Sequence, residues 1–306
     1  MSNIRKNKFL QLTFIKKPLL YIYNGVWDAI AHILSDEAYL KFKYRLRFKK
    51  ELDLKNPKSF NEKLNWLKLY DRNPQYSTLA DKYEVKEYVV KKIGKEYVVP
   101  NYGVWERFED IDFEKLPDQF VLKTTGDSGG VFICRDKNIF DKKTAAKKIE
   151  ASLKRNFYYR SREWPYKDIR SRIIADMLLD EHTGKELQDY KFWCFNGEPK
   201  VMYVTNKGKN IAENFYDMDF NPINISHGFP RISPEFKKPK DFETMKQLAA
   251  ILSKGIPFVR VDFFYVDNKI YFGEFTFYDW AGLKPFTSYE MDLKIGEWLT
   301  LPIPKA

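Results

Sequence analysis

The twenty residues from Phe258 to Phe277, FVRVDFFYVDNKIYFGEFTF, constrain the fold more than any other stretch. Two aromatic and β-branched runs flank Val266-Asp267-Asn268-Lys269, the pattern of a hairpin in a buried sheet. Yet Arg260, Asp262 and Glu274 sit inside those runs, where an unpaired charge is costly. Alternation puts Arg260 and Asp262 on one face of their strand, with Val259, Val261 and Phe263 on the other. Glu274 and Thr276 share a face of the partner strand. Turn length decides whether these groups meet. A three-residue loop pairs 262 with 274 and 260 with 276. A two-residue loop pairs 262 with 273 and sends Glu274 to the opposite face, unless a bulge restores it. Two carboxylates brought together repel and favour protonation of one. A hard divalent cation with phosphate oxygens removes that conflict, and Arg260 beside them suits a phosphoryl group in transfer. The alternative is a structural Arg260–Asp262 pair and an unrelated surface glutamate.

A second constellation is FVLKTTGDSGGVFI, in which Lys123 ends a β-like run and Gly126, Gly129 and Gly130 surround Asp127 and Ser128. Glycines let backbone N–H groups approach phosphate oxygens, and a lysine supplies the counter-charge. The lysine precedes the loop, so this is not a Walker-type motif; a plain hairpin with a glycine turn is the competing reading. A third is RNFYYRSREWPYKDIR, where five Lys or Arg interleave with five aromatic residues. Rings stack on sugar faces or bases, and guanidinium forks bind carboxylate or phosphate.

Around these motifs the chain reads as helices first and antiparallel hairpins later. Residues 58–92 look helical, with Ser59 and Glu62 at capping-box spacing and Gly94 as the stop. YKFWCFNGEPKVMYVTN reads as a hairpin turning at Asn196-Gly197. Helices are expected over 143–155 and 242–254. This order does not alternate strand and helix, which disfavours a doubly wound nucleotide fold.

Composition excludes several chemistries. The 306 residues contain three histidines, so a mechanism built on several of them is nearly excluded. Cys134 and Cys194 belong to no metal-ligand pattern, which argues against zinc, and they are expected to be reduced thiols. A net charge of +11 favours anionic partners. Much of that charge lies near the N-terminus, where KFKYRLRFKK from Lys41 follows Leu19, Leu20, Ile22, Val26, Trp27, Ile30 and Ile33 at helical spacing. Such a segment either packs on the domain or lies on an anionic membrane surface. No apolar run approaches membrane-spanning length, and Lys16 and Lys17 interrupt the apolar stretch after the basic start, which makes a poor secretory signal.

Together with the hairpin, the stretches KSFNEKLNWLKLYDRNP, LADKYEVKEYV, LPDQFVLKTTGDSGG, YYRSREWPYKDI, RIIADMLLDE and DYKFWCFNGEPK occur in one order. From about Asn56 to Leu301 the chain resembles the ATP-grasp superfamily. Within it, the chain resembles the TupA-like branch, associated with teichuronopeptide and other bacterial surface polysaccharides. The resemblance implies an α+β ATP-grasp fold, two α+β subdomains with largely antiparallel sheets clamping ATP. It divides the chain into a basic helical N-terminal extension (1–75), a pre-ATP-grasp segment (76–120) and the ATP-grasp domain (121–306).

By that resemblance Lys86 and Lys123 hold ATP phosphates, and Gly126, Ser128, Gly129 and Gly130 form a flap over them. Asp176, Met177 and Leu179 fall where the hinge meets adenine. Asp189 falls at the ribose, with Lys191 following it into the site. Asp262 and Glu274 bind Mg²⁺, and Thr276 stands where the superfamily has asparagine. Arg260, with Lys123, stabilises the transferred phosphoryl group. Arg160, Arg162, Trp164 and Lys167 are expected at an acidic sugar. Three departures stand out. The hinge acid is Asp176 rather than Glu. Gly126-Asp127 replaces a His-Gly pair and adds negative charge near phosphate. Asp279-Trp280-Ala281-Gly282 replaces a Pro-Gly acceptor loop.

The function implied is an ATP- and Mg-dependent carboxylate–amine ligase working through an acylphosphate. Its acceptor is expected to be a uronic acid of a bacterial surface polysaccharide or its precursor, and its donor an amino acid. The expected setting is the cytoplasm or the inner face of the plasma membrane. A sugar kinase of the same fold and a nucleotide- or glycan-binding protein without turnover are the alternatives; a nucleic-acid partner is disfavoured.

Overall fold

The computed structural model describes residues 31–179, 187–205, 211–233 and 236–303. The apolar residues Leu19 to Ile30 expected at a membrane or on the domain lie outside the described residues. Ile33, which follows them, is 80% exposed. Ser35 caps helix α1 (Asp36–Phe48), which buries Tyr39, Leu40 and Tyr44. Helix α2 (Phe60–Tyr70) begins with the reciprocal Ser59/Glu62 cap expected from spacing. The helical pattern after it is interrupted. Asp81 Oδ1 accepts from the backbone N–H of Tyr83 and Glu84, ending α3 (Gln75–Ala80) and starting α4 (Glu84–Ile93). Gly94, at φ 118°, stops α4.

Two antiparallel sheets follow. The smaller has strand order β1-β4-β2-β3, formed by Asn101–Trp105, Ile173–Met177, Phe120–Thr124 and Val131–Cys134. Helix α5 (Lys142–Leu153) covers one face, where Ala145 and Ile149 pack with Phe120, Leu122, Ile173 and Ala175. The expected boundary at 121 therefore cuts through a sheet, because β1 from the 76–120 segment pairs with β4. A short helix α6 (Tyr158–Ser161) precedes β4.

The larger sheet has the order β10-β9-β5-β6-β7-β8, all antiparallel. Its strands are Asp189–Phe195 (β5), Glu198–Thr205 (β6), Glu213–Tyr216 (β7), Pro222–Ile223 (β8), Phe258–Val266 (β9) and Lys269–Thr276 (β10). The β5–β6 turn is Asn196-Gly197, both with positive φ. Alternation gives the two faces different jobs. One carries Phe192, Cys194, Val259 and Val261 in the core that includes Met245, Ala249 and Leu252 of α7 (Phe242–Ser253). The other is split along the strands. Trp193, Phe195 and Phe258 pack around Phe60 of α2. Helix α8 (Tyr289–Glu297) locks α2 in place through Asp292 Oδ1, which accepts from the Asn61 N–H at 3.0 Å. Farther along that face the cross-strand neighbours are Lys191 and Asp262, Trp193 and Arg260, and Lys191 and Tyr203. One face thus passes from an aromatic core to a polar floor.

The β9–β10 turn is the two-residue Asp267-Asn268, at φ 51° and 58°, the left-handed pair that hairpins favour. On its own this turn would put Glu274 on the wrong face. Gly273 is the extra residue of a bulge: Phe272 pairs with Phe263, yet Glu274 pairs with Asp262 and Thr276 with Arg260. Among the described residues, no helix is long and apolar enough to cross a membrane.

Candidate active site

Arg260 organises the polar floor. Its Nε and Nη2 grip the two oxygens of Asp262, each at 2.7 Å. The same Nη2 donates to Glu274 at 3.0 Å, while Nη1 donates to Asp279 at 2.7 Å and to the Tyr203 hydroxyl at 3.1 Å. Lys191 adds ion pairs to Asp189 at 3.0 Å and to Asp262 at 3.1 Å. Burial alone would push Asp262 up, but Arg260 and Lys191 outweigh it and hold the carboxyl below its usual range. Thr276 Oγ1 donates to Glu274 at 3.3 Å. Four carboxylates thus share Arg260 and Lys191 in one ion-pair network. The buried Oδ2 of Asp279 has no hydrogen-bond partner among the described residues.

A cleft of about 790 Å³ opens over this floor. Arg260, Lys191, Glu274 and Thr276 line it from below, and Ser128 of the glycine loop lines it from the smaller sheet. Lys82 lines it as well, donating to the Asp127 carbonyl at 2.5 Å. Burial pulls the Lys82 ammonium down, and Glu274 is the strongest opposing charge. Sequence reading passed over Lys82, which stands four residues before Lys86 in the same DKYEVK motif. It also passed over Tyr203 and Glu163, whose carboxyl lines the cleft, accepts from Ser161 Oγ at 2.7 Å and is pushed up by burial, and it noted Asp279 only as part of a loop that departs from the family.

The Asp127 carboxylate, expected to add negative charge near phosphate, has partners of its own. It accepts from Ser152 Oγ and pairs with Arg155 at 2.6 Å. The loop can do this because Gly129 sits at φ 111° and because Gly130 carries no Cβ. A Cβ on Gly130 would stand 2.1 Å from both Thr124 Oγ1 and Ser152 Oγ. Gly130→Ala is therefore expected to destabilise the protein by about 1–3 kcal/mol, read as a lower denaturant midpoint. An unchanged midpoint would show that the loop yields freely. Gly126, at the loop's start, packs against Ile169.

Most of the other residues expected at the nucleotide form a second group at the smaller sheet. Asp176 is clamped between Lys86 at 3.1 Å and Lys123 at 3.2 Å. Lys86 also donates to the Val99 carbonyl at 2.8 Å. Met177 is fixed by a backbone bond from its N–H to the Pro100 carbonyl, and Leu179, two residues on, is half-buried. These residues do not line the 790 Å³ cleft.

The expected sugar strip divides. Arg160 lines the cleft. Arg162 does not: it is 3% exposed, pairs with Asp36 at 3.0 Å and donates to the carbonyls of Ala31 and Leu34. Trp164 is also turned inward, its Nε1 donating to the Asp71 carbonyl at 3.2 Å. Arg162 and Trp164 therefore belong to packing rather than to a substrate surface, since burying α1 requires a guanidinium to satisfy the carbonyls before it. Lys167 is exposed, with its ammonium 5.4 Å from the Tyr158 ring centroid, and is outside the cleft.

Lys68 braces the floor from behind. It is fully buried and donates to the carbonyls of Ser161 at 2.8 Å and Ala281 at 2.6 Å. Burial pulls its ammonium down to about 7. Between about pH 7 and 10.5 the unfolded chain binds a proton on this amine that the folded chain has lost. The contribution of this amine to stability should therefore rise with pH through that window, by up to about 1.4 kcal/mol per pH unit, and be flat below it. Lys68→Met should remove that slope. Parallel denaturation curves for the two proteins from pH 7 to 10 would contradict the assignment.

The model of the TupA-like ATP-grasp family matches residues 62–300. The chain belongs to that family. Its fold is the α+β ATP-grasp fold, preceded by the helical segment that contains α1. No curated protein matches. Among solved structures, the chain is similar to D-alanine–D-alanine ligase from Helicobacter pylori, at 12% identity over 78% of this chain and 66% of that one, TM-score 0.43. It is also similar to the same ligase from Bacillus anthracis complexed with ATP, at 15% identity over 65% and 55%, TM-score 0.38. A third is the ATP-grasp ligase PsnB complexed with a minimal precursor, at 11% over 67% and 54%, TM-score 0.37. The chain spans little more than half the length of PsnB and of the Bacillus ligase. These likenesses are distant, and family membership rests on the sequence match. ATP with Mg²⁺ is the family's ligand pair, and this floor suits it. Mg²⁺ asks for one or two carboxylates plus phosphate oxygens rather than an all-protein cage. Asp262 and Glu274 stand opposite each other on this floor.

Proposed function

We propose that this ATP-grasp protein joins a carboxylate to an amine at the expense of ATP. The observation that carries the reading is the bulge at Gly273, which sets Glu274 opposite Asp262 beside Arg260, at the floor of a lysine-lined cleft. Asp262 and Glu274, helped by Thr276, would hold Mg²⁺, which neutralises phosphate charge when bound. Lys82, Lys191 and the Gly126–Gly130 loop would hold phosphates. The Lys86–Asp176–Lys123 group, with Met177, Leu179 and Asp189, would hold the rest of the nucleotide. Arg260 would stabilise the phosphoryl group in transfer.

A substrate carboxylate oxygen attacks the terminal phosphorus and ADP leaves; an amine then attacks the acyl carbon, loses a proton and expels phosphate. The protein's part is positioning and charge stabilisation, so no side-chain nucleophile is needed. We assign the acceptor as a uronic acid of a bacterial surface polysaccharide or its precursor and the donor as an amino acid, acting in the cytoplasm where ATP is supplied.

Release of ADP, screened over uronic acids with a panel of amino acids, tests this. The reading expects ADP and an amide only when both partners are present. ADP with a phosphorylated sugar and no amine requirement would make the protein a kinase. Nucleotide binding without any turnover would make it a binding protein.

A further inference from the structure

One end of the cleft carries charge that the nucleotide reading does not use. Helix α1, which precedes the residues matching the family, contributes Lys43, Leu46 and Arg47 to the lining. Facing them are Arg160, Trp280 and Lys284. Arg47 Nε donates to the Leu283 carbonyl at 3.1 Å, which holds it beside Lys284. The Lys284 ammonium lies 4.0 Å from the Phe229 ring centroid and 5.8 Å from that of Trp280. Among the described residues, no carboxylate is ion-paired with Arg47, Arg160 or Lys284, although other surface cations of α1 have such partners: Lys41 pairs with Glu37 and Arg45 with Glu51. The crowding is felt. Burial and then Arg160 and Arg47 pull Lys43 down, and burial and then Arg47 pull Lys284 down. The carboxylate that opposes this at Lys284 is Glu213, which is itself engaged by His227 at 3.1 Å.

An aromatic surface accompanies the charge. Trp280 is held at φ 46°, a left-handed conformation unusual for a bulky residue, and its side chain stays 39% exposed beside the cleft. The exposed indole of Trp280 and the exposed guanidinium groups of Arg47 and Arg160, with no carboxylate ion-paired to them among the described residues, match a sugar face flanked by anions.

We infer that the cleft between α1 and residues 280–284 binds a sugar carrying two or more anionic groups, with Arg47 and Lys284 holding anions other than the carboxylate that reacts. The inference rests on the proposed ligase reading for which group reacts; the binding site itself does not. Carboxylates and phosphates share this chemistry, so the probes separate them.

Calorimetry on the full chain, with trigalacturonate, glucose 1,6-bisphosphate and uncharged maltotriose, tests it. At least one charged probe should bind, more weakly as salt rises. Arg47→Gln/Lys284→Gln should weaken that binding by about tenfold or more. Lys41→Gln/Arg45→Gln, the same charge change elsewhere on the surface, should leave it within about twofold. A response to trigalacturonate alone identifies carboxylates, and to the bisphosphate alone phosphates. The inference is overturned if no charged probe binds, if maltotriose binds as well as they do, if the first double variant has no effect, or if the control weakens binding equally. Mg-AMPPNP titrated into the same samples separates the two readings. Nucleotide binding without anionic-sugar binding sinks only this inference; anionic-sugar binding without nucleotide binding sinks only the ligase reading.

Discussion

Asp262→Asn is expected to lower ADP release about 1,000-fold or more and to destabilise the fold, whereas Glu274→Gln should lower activity comparably while leaving the fold nearly intact. A metal that stabilises charge in phosphoryl transfer is worth several kcal/mol, and each 1.36 kcal/mol is a factor of ten. The two carboxylates differ in what else they hold. Asp262 is 3% exposed and binds Arg260 through two bonds and Lys191 through a third. Neutralising it leaves both cations short of a partner, although Asp279, Glu274 and Asp189 remain; the expected cost is about 1–3 kcal/mol. The Glu274 side chain is 44% exposed and makes one 3.0 Å ion pair with Arg260, so its loss should cost less than about 1 kcal/mol. Thermal midpoints and ADP release measured together decide. A fully active Glu274→Gln protein would return Glu274 to an unrelated surface glutamate.

Lys82→Met should reduce kcat/KM for ATP by about 100-fold or more, the loss typical of one preorganised donor to developing charge. Lys86→Met should act differently. Lys86 is held by Asp176 and by the Val99 carbonyl, away from the cleft lining. Its removal leaves buried Asp176 with Lys123, so we expect lower stability and a raised KM for ATP with a smaller change in kcat. Steady-state kinetics of both variants check the assignment. An inactive Lys86→Met beside a fully active Lys82→Met would reverse it.

How legible the sequence was depended on whether signals were local. The Ser59/Glu62 cap, the Asn196-Gly197 turn and the alternation of β9 each involve residues a few positions apart, and all three are present as expected. The motif order also led to the family that matches residues 62–300. The β9–β10 register was open, because a three-residue and a two-residue turn both fitted the sequence and nothing local tells whether Gly273 forms a bulge. The partners of Asp127 were hidden for a different reason. Ser152 and Arg155 lie some 25 residues away on and beyond α5, so the Asp127 charge looked free. Arg162 and Trp164 shared the composition of a sugar-binding strip, and only tertiary packing shows that α1 and the Asp71 carbonyl occupy them. Lys82 and Lys86 were indistinguishable by type. The turn that Asp81 imposes before α4 sends one into the cleft and the other to Asp176.

Crystals grown with Mn²⁺ and AMPPNP, examined for anomalous scattering, test the central claim most directly. The account predicts a manganese peak held by Asp262 and Glu274, with nucleotide phosphates above it and Lys82 alongside. Nucleotide bound elsewhere, or a metal peak that touches neither carboxylate while Arg260 keeps its grip on both, would contradict it.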